Sequence, residues 1–284
     1  MSAYTPTYTS GPKGTVEAVS SSLVALYRRR WLAVYLTQRE LFRRYKKSNL
    51  GILWAFLGPL LMIVLLTLIF SEMFGLRFRE LTGDTAMNFG LYLYCGLIPF
   101  LAFQQTITKS INSIRSNAGL VQKVILPLEV FPLTRSITVL ADNAFALGTL
   151  ILVVAFLEHR VHWTLVLLPL LIALQLVFTL GLSFLFAFIG TYMPDAREGV
   201  RVSARALFFI TPIIWTPERL PENLRFLVDY NPLAFLVIAY RNLVLEGAIP
   251  DLAWALKFLA FATALCVVGF ALFARTKQNF AELI

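Results

Sequence analysis

The chain has 284 residues, 58% of them hydrophobic and only 14% charged, with a mean hydropathy of +0.73. A soluble domain is nearer half apolar and a quarter charged, so this composition excludes one and points to an integral membrane protein. The net charge of +9 sits at the ends of apolar segments, with no basic stripe interleaved with exposed aromatics. That pattern excludes nucleic acid as a partner and favours membrane lipids or a cytoplasmic protein.

Residues 1–22 read as a disordered cytoplasmic tail without the apolar run of a secretory signal. Over residues 23–47, Tyr27, Trp31, Val34, Gln38, Leu41 and Tyr45 recur at helical steps, while Arg28, Arg39, Arg43 and Lys46 fall off that stripe. Such an amphipathic helix suits the inner membrane surface. Its end carries a cationic cluster, Arg39, Arg43, Arg44, Lys46 and Lys47, and no charge follows until Glu72. An uncharged run of twenty-odd residues, at ~1.5 Å each, crosses a hydrocarbon core of ~30 Å.

Six spans are predicted, at about residues 50–70, 89–108, 136–157, 163–193, 200–217 and 252–274. The fourth is longer than a straight crossing needs. The fifth is short, and the apolar piece after it is broken by Asp229 and Pro232, so residues 218–240 read as re-entrant helices on the outer face. With six spans the inner segments hold eighteen Lys and Arg and the outer segments six, with Lys257 inside the last span. The positive-inside rule then puts both termini in the cytoplasm.

Catalytic chemistry finds no support in the motifs. GPKGT at residues 11–15 lacks the spacing of a phosphate-binding loop and a preceding strand, so the chain does not bind and hydrolyse ATP in the P-loop manner. His159 and His162 without a nearby cysteine give no metal site, and Cys95 and Cys266 are apolar fillers. Asp142 is the one acid deep in a span, readable either as a helix-packing hydrogen bond or as a functional group. Tyr92, Phe100, Phe103, Phe208, Phe209 and Trp215 read either as interfacial-belt and lipid-facing packing or as candidates to line a channel, since aromatic faces stack on sugar rings without fixed charge.

Five strings occur in order: RRYKKSNLGILWAFLGPLL, SNAGLVQKVILPLEVFPL, PDAREGV, FFITPIIW and YNPLAFLVIAYRNLVLEG. Together they resemble the permease subunits of ABC-type polysaccharide exporters, the family that moves O-antigen, capsule and teichoic acid polymers. The resemblance implies an all-α permease domain over residues 23–284 in the inner membrane, working as a homodimer. It implies two separate ATP-binding cassette subunits, with ATP and magnesium bound there and no cofactor on this chain. It further implies a lipid-linked, O-antigen-like glycan as cargo, a coupling helix within residues 116–132 and outer gate helices within 217–240. Arg115, Lys123, Glu129, Asp195 and Arg197 are the candidates to face the ATPase, with Glu129 expected to meet a cation on it. The rival readings are an exporter of drugs or small lipids and, from another class, a membrane glycosyltransferase or polyprenyl-phosphate enzyme. The enzyme needs acids or histidines clustered at the inner face, where Asp195, Glu198 and Glu129 are scattered among cations.

Overall fold

The computed structural model describes residues 14–45, 48–73, 89–123, 126–157, 159 and 161–283, and among them there are helices and turns but no strand. The polar N-terminal segment turns helical earlier than expected, at Thr15. Helix α1 (Thr15–Arg28) and α2 (Arg30–Tyr45) meet at a break at Arg29, so the single interfacial helix expected over 23–47 is two. Then follow α3 (Trp54–Leu66, prolonged by a π turn to Met73), α4 (Phe89–Ser110), the short α5 (Ala118–Lys123) and α6 (Val130–Leu157). The second half holds α7 (Leu168–Tyr192), α8 (Ala196–Ile210), α9 (Phe226–Asp229), α10 (Pro232–Arg241), α11 (Leu252–Thr276) and α12 (Phe280–Leu283).

Among the described residues, four helical stretches are long and apolar enough to cross a membrane: Gly51–Phe70, Val130–Leu157, Trp163–Tyr192 and Leu252–Asn279. Helix α4 falls short of that hydropathy because its second half reads QQTITKS, yet it is the pillar of the fold. Every residue from Phe89 to Phe100 is buried, and α3, α6, α7, α8 and α10 all pack on it. A helix apolar on all sides belongs inside a bundle, where its tyrosines and glutamines find partners instead of lipid.

The fifth predicted span is shorter than expected. Helix α8 ends at Ile210, and Thr211 turns to an extended conformation. Pro212 explains this, because a proline disfavours helical geometry in the residue before it. The best packed pair is α7 with α11, where a Cβ at Gly269 would come within 2.6 Å of the Gly181 carbonyl oxygen. Small residues there let the two backbones approach closely, the source of helix adhesion where lipid supplies no hydrophobic drive. Helix α10 continues as a π turn to Glu246 and stops at Gly247, whose φ of +68° lies in the left-handed region that glycine adopts without strain.

Candidate functional site

One end of the bundle gathers α1, α2, α5, α12, the start of α6 and the last turns of α4, α7 and α11. Lys277, just past α11, donates to Glu129 Oε1 at 2.5 Å and to Ser22 Oγ at 2.8 Å. It thereby ties α1, the loop before α6 and the C-terminal segment together. Glu129 is fully buried, which fixes this pair as structural, because a buried carboxylate without its cation is strongly unfavourable. Arg135 on α6 pairs with Glu40 on α2. Arg115 donates to the carbonyl oxygens of Thr191 at 3.1 Å and Leu283 at 3.5 Å. Asp142 pairs with Lys109 at 3.7 Å, so the acid inside α6 has a partner on α4.

The opposite end is built around Arg241, the last residue of α10 and 2% exposed. Its Nη1 and Nη2 donate to the carbonyl oxygens of Pro212 and Ile213, both at 2.7 Å, and its Nε to that of Tyr92 at 3.3 Å. The guanidinium also lies 3.5 Å from the centre of the Tyr92 ring. The segment after α8 is non-helical, so its carbonyls lack helical partners, and this arginine supplies donors to them. A Cβ at Gly96 would stand 2.6 Å from Nη2, so α4 needs a glycine there for the guanidinium to fit. Above Arg241 opens a cavity of about 740 Å³ between the 217–232 segment, α10 and the first turns of α11.

The expected site residues divide between these ends and the core. Glu129, expected to meet a cation of the ATPase, is turned inward onto Lys277 of its own chain. Its oxygens are closed to solvent because Leu128 and Val130 beside it pack into the apolar interior. Arg115 and Arg197 line one cavity of about 520 Å³ with Asn112 and Ser116, and Asp195 lies exposed just before α8. The side chains of Lys123 and Arg44, and all of Lys46 and Lys47, lie outside the described residues. Arg39 is exposed, and Arg43 stands 3.8 Å from Glu40.

Of the aromatic candidates, Tyr92, Phe100 and Phe103 are buried inside the subunit. The ring of Phe100 packs edge-on against Phe208 at 5.4 Å, and that of Phe103 stacks on Phe178 at 6.3 Å. In this conformation Phe100 and Phe103 pack within the pillar of the subunit and face no open space. Phe209 is 69% exposed, Phe208 and Trp215 are half-buried, and the Trp215 indole donates to the Phe209 carbonyl oxygen at 3.0 Å. These three form one aromatic edge where α8 ends.

Arg241 escaped the sequence reading, which counted it among outer cations. Its signal was present: AFLVIAYRNLVLEG sets a lone arginine inside an apolar run, where a cation must find buried partners.

The family model described as ABC-2 type transporter matches residues 32–245. Among curated proteins, the O-antigen export system permease protein RfbA of Klebsiella pneumoniae is 28% identical over 258 residues, covering 89% of this chain and 95% of that protein. RfbA of Myxococcus xanthus is 28% identical over 261 residues, covering 91% and 97%. The polysialic acid transport protein KpsM of Escherichia coli is 26% identical over 243 residues, covering 85% and 91%.

Proposed function

The chain belongs to the ABC-2 type transporter family, and from that premise we propose that it is the membrane-spanning half of an ATP-driven exporter of a lipid-linked, O-antigen-like polysaccharide. The observation that carries this reading is similarity along nearly the whole chain to proteins named for O-antigen export and for polysialic acid transport. A homodimer spans the inner membrane with six crossings per subunit and both termini in the cytoplasm. Two ATP-binding subunits, which carry ATP and magnesium, dock on the inner end at residues 116–132 and 194–200.

The described geometry lends this scheme a route. Helix α3 leaves Leu61 58% and Leu68 55% exposed, an apolar face open to lipid and to a second copy. Closure of the ATPase dimer pushes on α5 and on the Arg115–Arg197 cavity. Arg115 is bonded to the last turn of α7 and Lys277 to the loop before α6, so the inner ends move as one piece. That motion tilts the bundle and opens a channel at the dimer axis, lined in part by Phe208, Phe209 and Trp215.

The test is genetic and topological. Deleting the chain is expected to remove the surface polysaccharide and strand it inside the cell, with recovery on re-expression; an unchanged surface glycan would overturn the proposal. In a background lacking Cys95 and Cys266, a cysteine at Asn223 is expected to react with an impermeant thiol reagent from outside and one at Asn279 is not.

A further inference from the structure

The 740 Å³ cavity at the outer end lies well within the ~300–1,000 Å³ of small-ligand clefts. One wall is aromatic and held rigid. Trp254 meets Phe235 edge-on at 5.4 Å, and Phe235 stacks on Phe258 at 4.8 Å. Phe258 is braced in turn by Phe178 at 5.5 Å. The helix that presents Trp254 is fixed at its start, since Asp251 accepts the Trp254 backbone N–H at 2.7 Å. Tyr230, 86% exposed, stands at the cavity's edge.

Beside apolar residues such as Val228, Ile238 and Phe261, the lining carries charge: Glu218, Asp229 and Glu246 surround the space, with Lys257 and Arg241 beside them. Among the described residues these three acids form no ion pair, with Lys257 or with anything else. Nor do they converge, since no described group of acids, histidines or cysteines is close enough to hold a metal ion. Asn242, with its amide nitrogen turned to donate, links the Ile238 carbonyl oxygen at 2.9 Å to Glu246 at 3.1 Å, which holds that carboxylate in place.

Three acids against two cations leave the lining net negative, so a phosphate or an anionic headgroup is repelled. An apolar ligand would strand the carboxylates dry. Spread acceptors beside a fixed aromatic face suit a neutral polyhydroxylated ring, whose C–H face stacks while its edge donates hydrogen bonds. We propose that this cavity, one in each subunit, is a binding subsite for one or two neutral sugar units of the exported glycan on the outer face. This rests on the polysaccharide-export reading, and it assigns Trp254 as the stacking platform with Glu218, Asp229 and Glu246 as hydroxyl acceptors.

The experiment uses the full chain with its ATPase partner in nanodiscs. The probes are short oligosaccharides cut by mild acid from the surface polysaccharide of the expressing strain. Their addition is expected to change tryptophan fluorescence saturably, and Trp254→Phe to abolish that change while leaving the other four tryptophans. Asp229→Asn and Glu246→Gln are each expected to weaken binding about three- to tenfold, the scale of one hydrogen bond. A fluorescence change produced by phosphatidylglycerol and not by oligosaccharide would overturn the proposal. So would oligosaccharide binding indifferent to all three substitutions, or none at all in a complex that exports normally. Failure of the exporter reading is separable, because it appears as surface glycan persisting in the deletion strain.

Discussion

The two ends of the bundle, inner and outer in the orientation proposed above, use charge in opposite ways. At the inner end three ion pairs join separate segments: Lys277 with Glu129, Arg135 with Glu40, Lys109 with Asp142. At the outer end Glu218, Asp229, Glu246 and Lys257 surround one cavity with no ion pair among the described residues, and the buried arginine is satisfied by backbone carbonyls instead. Paired charges fix segments to one another, as the proposed push from an ATPase would require. Charges kept apart leave lone pairs for something that comes and goes.

The largest expected effect breaks the one rigid node of the outer end. Arg241→Ala removes the donors of three buried carbonyls and a cation from the Tyr92 ring, a loss on the order of 3–5 kcal/mol. Thermal unfolding in detergent and recovered yield measure it. Arg241→Lys is expected to restore only part, because an ammonium cannot span the carbonyls in the planar fork of a guanidinium. Wild-type stability of the alanine variant would show that the node is dispensable.

Next comes the inner pair. Glu129→Ala leaves Lys277, among the described residues, with the Ser22 hydroxyl alone, and Lys277→Ala leaves a fully buried carboxylate, so each is expected to cost about 3 kcal/mol. The effect sharpens the contrast if these variants, once stabilised by low temperature, hydrolyse ATP without export. Arg135→Ala tests a pair nearer the surface and is expected to lose only about 0.5–1 kcal/mol.

The smallest effect is a dependence on pH at the outer end. Burial pushes the Glu246 carboxyl above its ordinary value of 4.5, with Arg241 pulling it down and Glu218 adding to the rise. Asp229 and Lys257 line the same cavity. A carboxyl raised in the folded chain binds its proton more tightly than in the unfolded one. Its contribution is therefore present in full below the ordinary value and is lost as pH rises through the folded value. A shallow decline in the thermal midpoint over that window is expected, and Glu246→Gln is expected to flatten it.

Much of the fold was legible in the sequence because lipid imposes a length and a composition on a helix. Gly51–Phe70, Val130–Leu157, Trp163–Tyr192 and Leu252–Asn279 all announce themselves in hydropathy. Helix α4 was also visible as an apolar stretch, but its place as the buried pillar was not, since a periodic pattern cannot say which neighbour covers each face. The site was less legible, because its partners are remote. Glu129 and Lys277 stand 148 positions apart, and Arg241 and Tyr92 stand 149 apart. A lone acid in a basic loop reads as an open charge until the C-terminal segment folds back onto it. The burial of Phe100 and Phe103 was hidden in the same way, since aromatics at helical spacing serve core and channel alike.

The contrast between the ends is tested most directly by two double-mutant cycles on thermal unfolding of the full complex in nanodiscs. One pairs Glu129→Ala with Lys277→Ala, and the other pairs Glu246→Gln with Lys257→Ala. An inner coupling of about 1–3 kcal/mol beside an outer coupling near zero is expected, because only the inner charges touch. Equal couplings at both ends, or a larger one outside, would contradict the division of paired and unpaired charge between the two faces.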